Sequence, residues 1–329
     1  MRHVLTTALL ASLAVAAPLS AQESGGVRTP EGALLQTDPA LHYAPGELTQ
    51  AQLEANNSDV IGSAGMNVFR RFPPEVTDDM VNFYLNALAL RSLSPIQLTS
   101  TQQMILTGVG SMQVKLSAGQ QGDRLYNLEG GYRGGTGIRF LLLRYPSASV
   151  VTQRFTDAGF PAPEFVRRED GGLQALVQDP AGLDIVIFVA SGAQDHADDG
   201  VGVGISVSNL EASRAFYRDF VGLEELPPVP APVMGLIFYP YRHGETTLML
   251  YELEGENLPA DTGSSGVQYV VSDAAMVAAR GELRDVTIEN PLNMLSGFEL
   301  TTVWLNDPDG VTNYFAQVGP NPRSTRGDD

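Results

Sequence analysis

Residues Val201 to Leu223 change hydrophobic period once, and that change limits the folds open to the chain. Val201, Val203, Ile205 and Val207 alternate with small residues, the two-residue period of a strand with one buried face. Ala212, Phe216, Phe220 and Leu223 then recur at the spacing of one helical stripe. Ser208 and Glu211 lie three apart at the changeover, the spacing of a capping box, so the helix is expected to be capped by Ser208. Strand and amphipathic helix follow each other too closely for an all-helical or all-strand domain.

The same passage occurs earlier. Met66 to Phe72 reads as a strand, Pro73-Pro74 ends it, and Thr77-Asp78-Asp79 opens a helix with acidic residues at its positive end. Phe83-Tyr84, Leu90 and Leu93 fall on Phe216-Tyr217, Leu223 and Leu226 at one offset, 133 (217 minus 84), which marks an internal repeat. Strands are expected at 103–109, 112–116, 138–145, 173–177 and 185–190, with a helix over 150–158 closed by Gly159. In the second half, 236–241 and 247–253 form a hairpin, and 267–271 leads into an Ala-rich helix ending at Arg280. Strands follow at 301–305 and 313–318. Asp179-Pro-Ala-Gly182 and Asp307-Pro-Asp-Gly310 are tight hairpin turns, 128 apart (307 minus 179). The second lacks the further oxygen ligands of a calcium loop.

Around this repeat the chain divides as follows. Residues 1–21 have the positive start, apolar run and small-residue cleavage site of a signal peptide, so the protein is expected in a periplasm or outside the cell. Residues 22–62 form a linker-like arm, 63–190 a first module, 191–200 a polar linker, 201–318 a second module, and 319–329 a disordered tail. No later stretch is apolar for long enough to span a membrane. The formal charge of -18 argues against nucleic acid as a partner, and the absence of cysteine excludes thiol chemistry and cysteine-bound metal. The basic side is almost entirely arginine, with Lys115 the only lysine. The cluster at 130–137 has five glycines in loop-then-strand order, which is wrong for a phosphate loop.

Val203 to Tyr217, Val221-Gly-Leu223 and Asn306-Asp-Pro-Asp-Gly310 together resemble the vicinal-oxygen-chelate superfamily, which includes glyoxalase I, extradiol dioxygenases and bleomycin-resistance proteins. The resemblance is strongest over 201–318 and weaker over 64–190. It implies an α+β fold of four tandem βαβββ motifs, two to a module, each module curling into a cupped mixed sheet. It also implies a pocket in each cup that, in the enzymes, holds a divalent metal (Fe, Mn, Zn or Ni). The residues here depart from the family's ligands: the expected positions fall on Gly202, Gly266 and Tyr314, and in the first module near Phe69, Ile138 and Val186. Only Glu252 remains as a carboxylate, with His243 and Glu245 as an unusual alternative set. No cofactor is therefore expected at the usual place.

Two functions stay open. One is a binding module whose second cup presents Tyr239, Tyr251, Tyr269, Trp304 and Arg242 to a small, aromatic organic ligand, with Arg70 and Arg139 as further candidates for a carboxylate clamp. The other is an enzyme, using Glu252 and Tyr314 as acid and base or a shifted metal site at His243 and Glu252. A monomer or a homodimer is compatible with either.

Overall fold

The computed structural model describes residues 27–28, 34–35, 39–97, 103–120, 124–190, 201–255, 257–294 and 299–323. The expected signal peptide at 1–21, the expected linker at 191–200 and most of the expected tail at 319–329 lie outside them. Four βαβββ motifs follow one another, the strand just after the helix being only two residues long in the first three (Arg91–Ser92, Val166–Arg167 and Glu224–Glu225) and left unlabelled. The first consists of β1 (Asn67–Phe72), α1 (Thr77–Asn82), β2 (Gln103–Val109) and β3 (Met112–Ala118). The second has β4 (Thr136–Tyr145), α2 (Ala148–Asp157), β5 (Leu173–Gln178) and β6 (Asp184–Val189). The third has β7 (Gly202–Val207), α3 (Leu210–Arg214), β8 (Leu236–His243) and β9 (Thr246–Glu252). The fourth has β10 (Ser265–Val270), α4 (Ala274–Leu283), β11 (Ile288–Met294), β12 (Leu300–Asn306) and β13 (Thr312–Val318).

The motifs do not close into sheets in the expected order. One sheet runs β8-β9-β7-β4-β6-β5, joining the second motif to the third. The other runs β11-β12-β13-β10-β1-β3-β2, joining the fourth to the first. Both sheets share one plan: an antiparallel central pair (β7 with β4, β10 with β1) flanked on each side by a parallel neighbour. The division into 63–190 and 201–318 therefore marks chain halves, not sheets, and each sheet takes one motif from each half.

One apolar cluster fills the space between the sheets. It takes Val68, Val114 and Val267 from one, Leu141, Ile185 and Val203 from the other, and Phe83, Tyr84, Phe216 and Tyr217 from the helices. The alternation of each strand leaves its second set of side chains on the sheet's far face, away from this core. Those two far faces are the bowls.

Several local readings change in detail. The cap of α3 is Asn209, whose Oδ1 accepts from Ala212 N at 3.0 Å, in place of Ser208, whose own N donates to Asp309. Beyond α1 and α3 the chain continues as π turns, Phe83–Ala87 and Ala215–Val221, with wider i→i+5 bonding. The wider turn buries Tyr217 beside Phe216, although Tyr217 does not lie on the helical stripe, while Tyr84 is buried on the stripe it shares with Met80 and Leu88. Strand β11 was not anticipated: it is an edge strand with Pro291 inside it and irregular pairing to β12, which breaks the usual pattern. The arm is not linker-like from Leu41 onward. Leu41 is fully buried, Asn57 Nδ2 donates to Phe220 O at 2.9 Å, and Arg280 of α4 donates to Gln52 O, Asn56 O and Asp59. Among the described residues no helix is long and apolar enough to cross a membrane.

Candidate functional site

The bowl of the second and third motifs is filled by its own side chains. Phe140 and Leu142 of β4, Val186 of β6, Phe238 of β8 and Met249 and Tyr251 of β9 form a second buried cluster on that face. Glycines in β7 make room for it: a Cβ on Gly204 would stand 2.0 Å from Phe140 Cε1, and one on Gly202 would stand 2.6 Å from Met249 Cε. Tyr251 stacks on Phe140 with ring centroids 5.9 Å apart and donates its hydroxyl to Tyr132 O at 2.7 Å. Every polar end of this cluster is turned back on the protein.

The bowl of the first and fourth motifs is built differently. Phe69 and Arg71 of β1, Lys115 of β3, Gly266 and Gln268 of β10, Trp304 of β12 and Tyr314 of β13 all occupy positions that alternate with core residues. The Phe69 ring lies over Gly266, where a Cβ would come within 2.0 Å of Phe69 Cζ. Arg71 rests on it, 4.4 Å from its centroid and 5.7 Å from that of Trp304, while Trp304 meets Tyr314 edge to face at 5.1 Å. Arg124 reaches the same indole at 5.6 Å and binds Glu289 of β11 through Nε at 2.7 Å. The other Glu289 oxygen accepts from Thr312 Oγ1 at 2.6 Å.

The charge balance of this bowl is opposite to that of the chain. Arg71, Lys115 and Arg124 belong to this bowl, whereas its carboxylate Glu289 is already engaged by Arg124 and Thr312, and the buried Asp261 is the other acidic group acting on Arg71. Burial, helped by the neighbouring Arg124 charge, lowers Arg71 to about 10. Burial lowers Lys115 to about 8. Burial raises the Tyr314 phenol, so it stays protonated at neutral pH. Trp304 Nε1 is buried and has no hydrogen-bond partner, a donor left over on this face.

Solved structures share the fold. A point mutant of glyoxalase I from Zea mays matches with a TM-score of 0.60 at 17% identity, over 77% of this chain and 94% of that one. A second structure of Zea mays glyoxalase I gives 0.58 at 16%, over 77% and 92%. A candidate dioxygenase from Bacillus subtilis gives 0.54 at 12%, over 80% and 86%. The chain has the vicinal-oxygen-chelate fold. No family model matches the sequence, and no curated protein does.

The metal that a vicinal-oxygen-chelate fold implies does not fit the residues present. Gly202 lies beneath Met249 and Leu142, and Gly266 beneath Phe69. Phe69, Ile138 and Val186 are apolar and buried. Glu252 is exposed and accepts from Leu210 N at 2.8 Å, at the start of α3. His243 Nε2 lies 2.6 Å from Gly62 O, and Glu245 accepts from Ser111 N and Oγ at 3.0 Å. Among the described residues no three His, Asp or Glu side chains gather to hold an ion.

The remaining expected site residues scatter, because the aromatic residues of the second half belong to two different sheets. Trp304 and Tyr314 meet in the bowl of the first and fourth motifs. Tyr251 is in the filled bowl. Tyr269 is buried in the core, stacked on Phe315 at 4.8 Å with its hydroxyl donating to Asn313 Oδ1 at 2.9 Å. Tyr239 packs against the same core. Arg242 is on the surface with Glu224, its Nη2 2.7 Å from the carboxylate. Arg70 is buried on Asp179, and Arg139 donates to Asn127 O. Neither is a ligand clamp.

Sequence reasoning missed Arg71, Lys115, Arg124 and Glu289 as site residues. One signal was present for Lys115: Gln113, Lys115 and Ser117 alternate with Met112, Val114 and Leu116, putting the only lysine on the non-core face of a strand.

Proposed function

We propose that the protein is an exported binding module that takes a small planar organic anion, such as an aryl carboxylate, into the bowl of the first and fourth motifs without a metal. One observation carries this reading: Arg71 lies against both Phe69 and Trp304, on the same face as the only lysine of a strongly acidic chain. Phe69, Trp304 and Tyr314 offer flat apolar surface to a ring, and Arg71 and Lys115 offer charge to its carboxylate. The buried indole N–H supplies one further donor. Expected export rests on residues 1–21, and N-terminal sequencing of the mature protein from a periplasmic extract tests it. Monomer and homodimer fit equally well.

Trp304 is the only tryptophan, so its fluorescence reports on the bowl directly. Titration with benzoate is expected to quench it saturably, and neutral benzamide is expected to bind about tenfold or more weakly. Arg71→Met and Lys115→Met should each weaken benzoate by about 10- to 100-fold, the value of one charge-assisted contact. Affinity should fall as pH rises above about 8, where Lys115 loses its proton. A chelator should change nothing. Absence of saturable quenching by benzoate or related aryl carboxylates, or loss of binding on chelation, would overturn the proposal.

A further inference from the structure

We propose that Lys115 is a carbonyl-capture site: its ε-amine condenses with the aldehyde or ketone group of a ligand held in the bowl of the first and fourth motifs. This rests on the binding role proposed above and adds the chemical class of the ligand, an aromatic or keto acid carrying a reactive carbonyl.

The placement of Lys115 is the main observation. In β3 its register partners are Phe69 on the parallel side and Leu106 on the antiparallel side, both apolar and buried. Lysine usually keeps its ammonium in water, and its stem is long enough to do so from most surface sites. Here the chain has one lysine, and that lysine stands in a half-buried bowl between two apolar neighbours. Among the described residues its ammonium has no ion-pair partner. Glu289, the carboxylate of this bowl, is engaged by Arg124 and Thr312.

The identity of the residue is the second observation. Every other basic side chain apart from histidine is an arginine, and arginine serves for charge, stacking and bidentate contacts. What lysine adds is an amine that can shed its proton and attack carbon. Burial keeps a substantial fraction of it as free amine near pH 8. Arg71 on the adjacent strand supplies positive charge for a carboxylate on the same ligand, holding the carbonyl near the amine.

The step balances without any further reagent. The nitrogen lone pair forms a bond to the carbonyl carbon, the C=O π pair moves to oxygen, and one proton passes from nitrogen to that oxygen to give a carbinolamine. Loss of the hydroxyl as water, with one proton from nitrogen, leaves the imine. Hydrolysis returns amine and carbonyl compound.

The test uses the mature protein with 4-carboxybenzaldehyde and sodium cyanoborohydride, which reduces the imine to a stable secondary amine. Intact mass and peptide mapping locate the adduct, since Lys115 and the N-terminus are the primary amines available. Expected is one adduct on the Lys115 peptide, forming at least about tenfold faster than on Nα-acetyllysine at pH 8 and suppressed by excess benzoate. Lys115→Arg, which keeps the charge, should give none, with circular dichroism reporting that it folds. An adduct on Lys115 no faster than on the free amino acid, or one that benzoate does not suppress, overturns the proposal. Benzoate quenching of Trp304 without rapid capture overturns carbonyl capture and leaves the binding role standing. Failure of benzoate to quench overturns both.

Discussion

The hydroxyl of Tyr217 donates to the buried carboxyl of Asp307 at 2.8 Å, tying the π turn of the third motif to the hairpin turn of the fourth. The first half repeats the contact: Tyr84 donates to Asp179 at 3.1 Å. In both turns the aspartate also accepts backbone N–H groups, from Ala181 and Leu183 in one and from Asp309 and Val311 in the other. The copies differ in charge. Asp179 has Arg70 at 2.8 Å, whereas the position of Arg70 in the second copy is Val203 (70 plus 133). Burial without a cation raises Asp307 to about 7.

Asp307 should make the protein more stable in mild acid than in base. Its folded pKa lies above the ordinary value of 3.8, so proton uptake favours the folded state. That stability is present below about pH 4 and is lost as pH rises to about 7, by at most on the order of 4 kcal/mol. Asp307→Asn keeps the backbone acceptor and removes the charge. Its urea-unfolding stability should match wild type near pH 4, exceed it at pH 8, and vary less between them. Parallel pH profiles for the two proteins would contradict this.

Removing Arg70 should convert the first copy into the second. Arg70→Met leaves Asp179 buried without its cation, at a cost of about 3–5 kcal/mol near neutral pH. The deficit should shrink on acidification, because a protonated Asp179 no longer needs a counter-charge. Denaturant melts at pH 5 and pH 8 check it, and a deficit independent of pH counts against the role given to Arg70.

Gly204 and Phe140 should behave as one packing unit. Gly204→Ala places a methyl group in the Phe140 ring and should cost about 1–3 kcal/mol. In a Phe140→Ala background the same change should be nearly neutral or favourable. A double-mutant cycle is expected to give a coupling of about 1 kcal/mol or more. Additive effects would mean that the ring yields without strain.

The arm should depend on Arg280. This guanidinium is 1% exposed and joins Gln52 O, Asn56 O and Asp59 to α4. Arg280→Leu should cost about 2 kcal/mol, with Asp59 partly solvated and so contributing less than a buried partner would. It should also speed limited proteolysis within 41–62 well before global unfolding. Unchanged cleavage there would show that other contacts hold the arm.

Much of the fold was legible along the chain because it depends on near neighbours. The alternation of 201–207, the Phe-Tyr pairs and the two Asp-Pro-x-Gly turns carry the motif, its repeat and its superfamily resemblance. Gly182 and Gly310 have φ of +87° and +83°, as those turns require. Strand β11 was not legible, since Asn290-Pro291 interrupts its pattern, and Glu289 went unnoticed with it. The candidate site was legible only in pieces. Trp304 and Tyr314 were singled out, while Arg71 and Lys115, well over a hundred positions away, were not.

The sequence by itself determined the motifs, their number and the residue types standing where the resemblance puts metal ligands, because each is written in residue types at short spacing. The tertiary structure decided which motif joins which. Pairing along a sheet edge is made by backbone hydrogen bonds common to all four motifs, so side-chain pattern alone left first-with-second and first-with-fourth equally open. That choice separates Tyr239, Tyr251 and Tyr269 from Trp304, and brings Trp304 beside an arginine from the other end of the chain.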